Sequence, residues 1–177
     1  MKLQSIGELV PDPEITEWLE SAAVSVPFFP NSHLRFVICA TPEGSGFPPD
    51  VDASVARFLA LNDTHRLAIS HEICLNYKKI EQYLDKEDEL VLKEEAEIWN
   101  FVQPSKIVVE RRSRRDKGIY VTVDCNCEWE QEHGLQIVFR SGNELVRVSQ
   151  QDGHLTLADA MNLPDDAKTE LSKTYIF

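Results

Sequence analysis

The runs G-I-Y-V-T-V-D-C-N-C-E-W at 118–129, L-Q-I-V-F-R at 135–140 and E-L-V-R-V-S at 144–149 decide how this chain folds. Each is rich in β-branched and aromatic residues and has strand length, and the links E-Q-E-H-G and S-G-N between them are short and turn-like. With I-V-V-E-R at 107–111 and R-R-D-K-G at 114–118 on one side, and Q-D-G at 151–153 on the other, they predict an antiparallel meander of four strands.

Upstream the pattern becomes helical. Asp12, Pro13 and Glu14 read as a cap with proline at the first helical position, and Ile15, Trp18, Leu19 and Ala22 share a face. L-R-F-V-I-C-A at 34–40 reads as a strand holding Cys39, bounded by T-P-E-G-S-G-F-P-P. P-P-D starts a helix through Val51, Val55, Phe58 and Leu59, and N-D-T at 62–64 ends it and caps the next. Ile69, Ile73, Tyr77, Ile80 and Leu84 mark one long helix over 65–84, and Leu92, Ala96 and Trp99 a further one over 87–102 with an acidic outer face. After the meander, Thr156 with Asp159 caps a short last helix through Met161, and the tail is expected to add a helical turn. The expectation is a single α+β domain over 1–177: a mostly helical half, 1–103, with one or two strands, packed on a β meander, 104–177.

At 177 residues, 42% hydrophobic and 27% charged, the chain is long enough to bury a substantial core. No apolar run approaches the ~18 residues that span a bilayer, and the opening M-K-L-Q-S-I-G lacks an apolar signal region, so a cytoplasmic location is expected. Cys39, Cys74, Cys125 and Cys127 lack the spacing of a secreted framework and are read as free thiols. A net charge of −12 disfavours nucleic acid and anionic membranes and suits a basic protein partner; a homodimer is also compatible. Residues 106–117 hold six basic against two acidic residues, so Arg111, Arg112, Arg114 and Arg115 are either a solvated turn, an internal partner for the acids, or an anion patch.

Strand alternation puts Val121, Val123, Cys125, Cys127 and Trp129 on one face, and Tyr120, Thr122, Asp124, Asn126 and Glu128 on the other. The cysteines therefore read as core thiols before zinc ligands, since no second pair completes a tetrahedral site. Asp124, Asn126 and Glu128 resemble the start of a calcium loop, but Trp129 stands where that loop needs glycine and Leu135 where it needs glutamate, leaving a solvated polar face as the plainer reading. His71-Glu72 begins a zinc-protease pattern that Leu75 breaks, and no P-loop or nucleophile elbow is present.

The chemistry-bearing candidates sit in the turns. Glu128, Trp129, Glu130, Glu132, His133, Asp152 and His154 are the candidate binding residues. A meander brings alternate turns to one sheet edge, so Glu132, His133, Asp152 and His154 are candidate ligands for a divalent metal, and His133, Glu132 and His154 the candidate acid–base groups; no other cofactor is suggested. The simpler role is structural, with His133 folded back to lock its hairpin.

The segments C-E-W-E-Q-E-H-G-L-Q at 127–136, V-F-R-S-G at 138–142 and D-G-H-L-T at 152–156 resemble those of uncharacterised bacterial proteins with a tryptophan–acidic–E-H-G-L motif in a C-terminal β meander. A weaker similarity covers the helix around Phe58 and E-I-W-N-F-V at 97–102. The resemblance brings no established activity, only an association with immunity or antitoxin roles. Two readings follow: a non-enzymatic binding protein whose acidic face (Glu81, Asp85, Glu87, Asp88, Glu89, Glu94, Glu95, Glu97) attracts a basic partner, and a metal-dependent or acid–base hydrolytic enzyme centred on Glu132, His133, Asp152 and His154.

Overall fold

The structure, a computed structural model, describes residues 1–13, 15–40 and 46–177. β1 (Lys2–Leu3) and β2 (Gly7–Pro11) form a hairpin, and β2 pairs antiparallel with β3 (Leu19–Ser21) where a helix was expected. Asp12 does cap a turn, its Oδ1 accepting from Ile15 N at 2.8 Å, but Asp12 N then donates to Trp18 O at 2.9 Å and the chain doubles back. A short helix is marginal unless a face is buried, and here Ile15 and Ala22 are exposed, whereas strand pairing buries Leu9 and Ser21. Glu14 of the expected cap and residues 41–45 of the expected turn run lie outside the described residues.

A two-stranded ribbon, β4 (Val24–Ser25) with β5 (His33–Leu34), leads into β6 (Phe36–Ile38). Cys39 lies just past the end of that strand, its N–H donating to Val109 O at 2.8 Å. α1 (Pro49–Leu59) starts at its proline pair as expected and buries Val51, Val55 and Phe58. Asn62 caps α2 (Asp63–Ala68) through a capping box with His65.

The long helix expected over 65–84 is broken at Ile69, and α3 runs over Ser70–Glu81. At the break Ser70 Oγ donates to Leu67 O at 2.8 Å and accepts from the Trp99 indole at 2.9 Å, a side-chain-to-backbone bond that competes with helical continuation. The helix expected over 87–102 shrinks to a 3-10 helix, Glu95–Phe101. Asp85 with Asp88 and Glu89, and Glu94 with Glu97, would place like charges one turn apart on a helix, which destabilises it.

β7 (Val102–Arg111), β8 (Ile119–Cys127), β9 (Leu135–Arg140) and β10 (Glu144–Ser149) form the antiparallel meander as expected. β6 joins β7 in parallel, and after α4 (Leu157–Ala160) the tail returns as β11 (Tyr175–Ile176) beside β10, in place of the expected helical turn. The result is one nine-stranded mixed sheet, order β1-β2-β3-β6-β7-β8-β9-β10-β11. The expected division into a helical first half and a β second half is therefore overturned: strands from both halves share this sheet, and helix is the minor component.

The predicted inner face holds: Val121, Val123, Cys125, Cys127 and Trp129 are all buried, against a core that includes Phe28, Phe58 and Phe139, whose ring centroids lie 5.5–6.0 Å apart. The other face is not simply solvated. The tail crosses one end of it, burying Tyr120, Val138 and Leu155 together.

Candidate functional site

The loop from Glu128 to Gly134 is folded onto itself. Trp129 belongs to the core: it is 2% exposed, its indole N–H donates to Asn76 Oδ1 at 3.1 Å, and its ring meets Tyr77 edge-on. Glu130 Oε1 accepts from His133 N at 3.1 Å and faces His133 Nδ1 at 3.3 Å, so the histidine is turned back on its own hairpin. Glu128 and Glu132 are exposed. Gly134, at φ +68°, packs so closely on β8 that a Cβ would lie 2.5 Å from Cys125 O.

The Asp152–His154 turn does reach this loop, but through a residue that sequence reasoning passed over. Gln151 Nε2 donates to Cys125 O at 2.9 Å and Leu135 O at 3.4 Å, stitching the two turns together. Asp152 accepts from both terminal nitrogens of Arg147 (2.7 and 2.6 Å), from Gln136 (3.3 Å) and from His154 N (3.0 Å). Burial alone would raise its pKa; the Arg147 guanidinium and the His154 N–H outweigh that and hold the carboxyl below its ordinary value. His154 contributes its carbonyl to Arg147 and Gln136. Thus Glu130 with His133, and Asp152 with Arg147, are two separate arrangements, and among the described residues no three His, Cys, Asp or Glu side chains gather around a metal position.

The thiols are quiescent. All four cysteines are free, and burial pushes Cys127 up to about 11, Cys39 up to about 12, and Cys125 well above its ordinary value. The basic turn is an internal partner: Arg112 is 5% exposed and donates to Asp159, Asp165 and Thr156, Arg115 pairs with Asp159 and Asp165, and Arg111 reaches Asp50 at 2.8 Å. The Arg112 and Arg115 contacts fasten α4 and the start of the tail beside a cleft of about 450 Å³ lined by Tyr120, Arg140 and Lys173 among others, whereas Arg111 ties β7 to α1.

The most exposed apolar side chains lie elsewhere, in the acidic segment between α3 and the 3-10 helix. Tyr83 is 79% and Val91 87% exposed, in a run of sequence that holds Glu81, Asp85, Glu87, Asp88, Glu89, Glu94, Glu95 and Glu97 against Lys86 and Lys93; Glu95 also meets His71 Nδ1 at 2.7 Å. The segment is anchored, since Leu90 N donates to Tyr77 Oη at 2.9 Å and Lys93 N to Glu97 at 2.7 Å.

On the outer sheet face, register sets Glu110 opposite Tyr120, Val108 opposite Thr122 and Lys106 opposite Asp124. Thr122 is 5% exposed and its Oγ1 has no hydrogen-bond partner among the described residues. Burial raises the carboxyl pKa of Asp124, and burial together with Asp124 raises that of Glu110. Asp124 is met by Lys106 Nζ at 3.7 Å; Glu110 has no counter-ion among the described residues. Alternation alone could place Asp124 on this face, but Glu110 came within reach of it only through the β7–β8 register.

The fold and its turns define a sheet-based domain with α4 and the start of the tail against the outer face beside Tyr120, and the end of the tail returning to α3, where Glu72 accepts from Ser172 N and Tyr175 Oη. The chain belongs to a family described as a domain of unknown function, DUF6985, whose model matches residues 5–155. No curated protein and no solved structure matches it. The matched span takes in the meander and the Gln151–Asp152 turn and stops at Leu155, before α4 and the tail. Among the described residues no helix is long and apolar enough to cross a membrane.

Proposed function

We propose that the protein is a non-enzymatic binding domain of the bacterial cytoplasm, of the immunity or antitoxin kind, that takes a basic protein partner on its acidic 81–97 segment. The observation that carries this reading is the exposure of Tyr83 and Val91, both more than three-quarters exposed, within a run of sequence that holds eight carboxylates. Tyrosine is enriched among the few residues that dominate interface energies. A rim of one charge sign speeds encounter with an oppositely charged partner and makes the rate depend on salt. The anchoring by Tyr77 and Glu97 keeps the segment's ordering cost low on binding.

The test begins with gentle purification from the native host and identification of a co-purifying basic protein, whose association with the purified domain is then measured by surface plasmon resonance. Glu87→Lys, Asp88→Lys and Glu89→Lys combined should lower the association rate at least tenfold and flatten its salt dependence, and Tyr83→Ala should speed dissociation. An unchanged association rate in the charge-reversed variant overturns the reading.

A further inference from the structure

We propose that residues 89–92, E-L-V-L, are an open strand edge that pairs with an extended strand of the basic partner; the inference rests on the reading of the acidic run given above. Between the turn at 86–88 and Glu94, the extended cap of the 3-10 helix, these residues form neither helix, turn nor bend. Their burial alternates as in a strand. Leu90 and Leu92 are partly buried and line a cleft of about 320 Å³ with Cys74 and Tyr77 of α3, whereas Glu89 and Val91 are exposed, Val91 at 87%. In a strand the N–H and C=O of one residue point to one lateral side and those of the next to the other. On one side Leu90 N donates to Tyr77 Oη at 2.9 Å. Glu89 and Val91 face the other side, and their backbone N–H and C=O groups make no hydrogen bond among the described residues. Lys93 N, next on that side, is met by Glu97 at 2.7 Å and closes the edge. Unmet backbone groups beside an exposed apolar side chain are a template for strand addition.

The chemistry of the edge selects its occupant. A strand laid antiparallel on this side exchanges both main-chain hydrogen bonds with Glu89 and both with Val91. Side chains directly opposite one another then meet on the outer face. An apolar residue fits against Val91 and a lysine or arginine against Glu89, so the strand recognised carries a basic residue two places after an apolar one. Because Leu90 and Leu92 already pack on α3, little ordering of this chain is left to oppose binding. A second copy of this chain is the wrong occupant: its own 81–97 run sets eight acids against two lysines, and like charges across an interface repel.

The test titrates the full chain with the capped peptide T-K-V-K-K, which sets valine opposite Val91 and its last lysine opposite Glu89, and follows backbone amides by NMR. The control is the same peptide N-methylated at its valine, which keeps every charge and removes the N–H that pairs with Val91 O. The parent peptide should saturate, slow hydrogen exchange at the Glu89 and Val91 amides, and bind about tenfold more tightly than the control. Val91→Pro deletes the Val91 N–H at an exposed position and favours extended backbone at Leu90, so it should weaken the parent peptide by about the same factor with an unchanged melting temperature. Should that variant melt early, the N-methylated peptide on the unaltered chain carries the decision. Equal affinity of the two peptides, saturation that leaves Val91 exchange unchanged, or failure of the parent peptide to bind overturns strand addition. Those results leave the acidic-run reading standing, which falls separately if the charge-reversed variant keeps its association rate.

Discussion

Replacing Asp152 by alanine separates a structural from a chemical role for the turn that carries it. Arg147, its partner, has a side chain only 5% exposed and makes two bonds of 2.6 and 2.7 Å to this carboxylate. Breaking a buried pair by removing one member costs about 3–5 kcal/mol, because the remaining charge stays buried without compensation. Two features reduce the figure here: the Asp152 side chain is 25% exposed, and Arg147 keeps the His154 carbonyl at 2.8 Å and Glu170 at 3.7 Å. A loss of about 2–3 kcal/mol follows, which at a urea slope of about 1–3 kcal/mol/M moves the unfolding midpoint by roughly 1 M. Arg147→Met with Asp152→Ala should recover most of the loss, so the double-mutant cycle should show coupling of at least about 1.5 kcal/mol. The pH dependence has a definite sign. A carboxyl held below its unfolded pKa stabilises the fold above that pKa, near 3.9, and the contribution disappears as pH falls through the folded value, so the two proteins converge in acid. Additive single-mutant costs, or a loss under about 1 kcal/mol at pH 7, would refute the reasoning and return Asp152 to the pool of free functional carboxylates.

Gly134→Ala should cost at least about 2 kcal/mol in urea unfolding, since the added carbon meets the Cys125 carbonyl in a left-handed backbone conformation; wild-type stability would mean that the loop slides freely. Glu110→Gln should raise the melting temperature at neutral pH: the folded carboxyl pKa is raised, so ionising it costs stability as pH rises, and the gain should vanish below the unfolded value near 4.3. With Cys39 at about 12 and Cys127 at about 11, and Cys125 enclosed, Ellman's reagent at pH 8 should label the native protein at least ~100-fold more slowly than the urea-unfolded chain; a fast native thiol would show that burial does not control these groups.

The meander was legible because both of its signals are local: strand-length β-rich runs, and turns too short for any connection but a hairpin. The same locality explains the Asn62 and Thr156 caps, which require only side chains two or three residues from the amides they accept. The N-terminal strands were not legible. Pro13 and the spacing of Trp18 and Leu19 state a helix in the language of periodicity, and what overrides it is the pairing of Leu19 with Ile38 and of β6 with β7, contacts with no local trace. A parallel pairing of β6 with β7 also cannot be read from either strand alone, since it depends on where the intervening helices deliver the chain.

The candidate site divides along the same line. Glu130, His133 and Gly134 could be read as a self-locking loop because the contacts span only a few residues. That Arg147 would claim Asp152 and that Gln151 would join the two turns required the bulged β9–β10 register, with its shift between Leu145 and Arg147. Charge worked the same way: of the arginine turn, isolated in sequence, Arg112 and Arg115 are met by Asp159 and Asp165 and Arg111 by Asp50 of α1. In the acidic 81–97 run the basic residues are Lys86 and Lys93, and among the described residues only Glu95 of the eight acids meets a basic side chain, His71 Nδ1 at 2.7 Å, so most of the charge faces outward. The fold thus neutralises Arg112 and Arg115 internally and leaves Tyr83 and Val91 exposed in the acidic run, so a partner of the kind proposed above would draw on the second cluster alone.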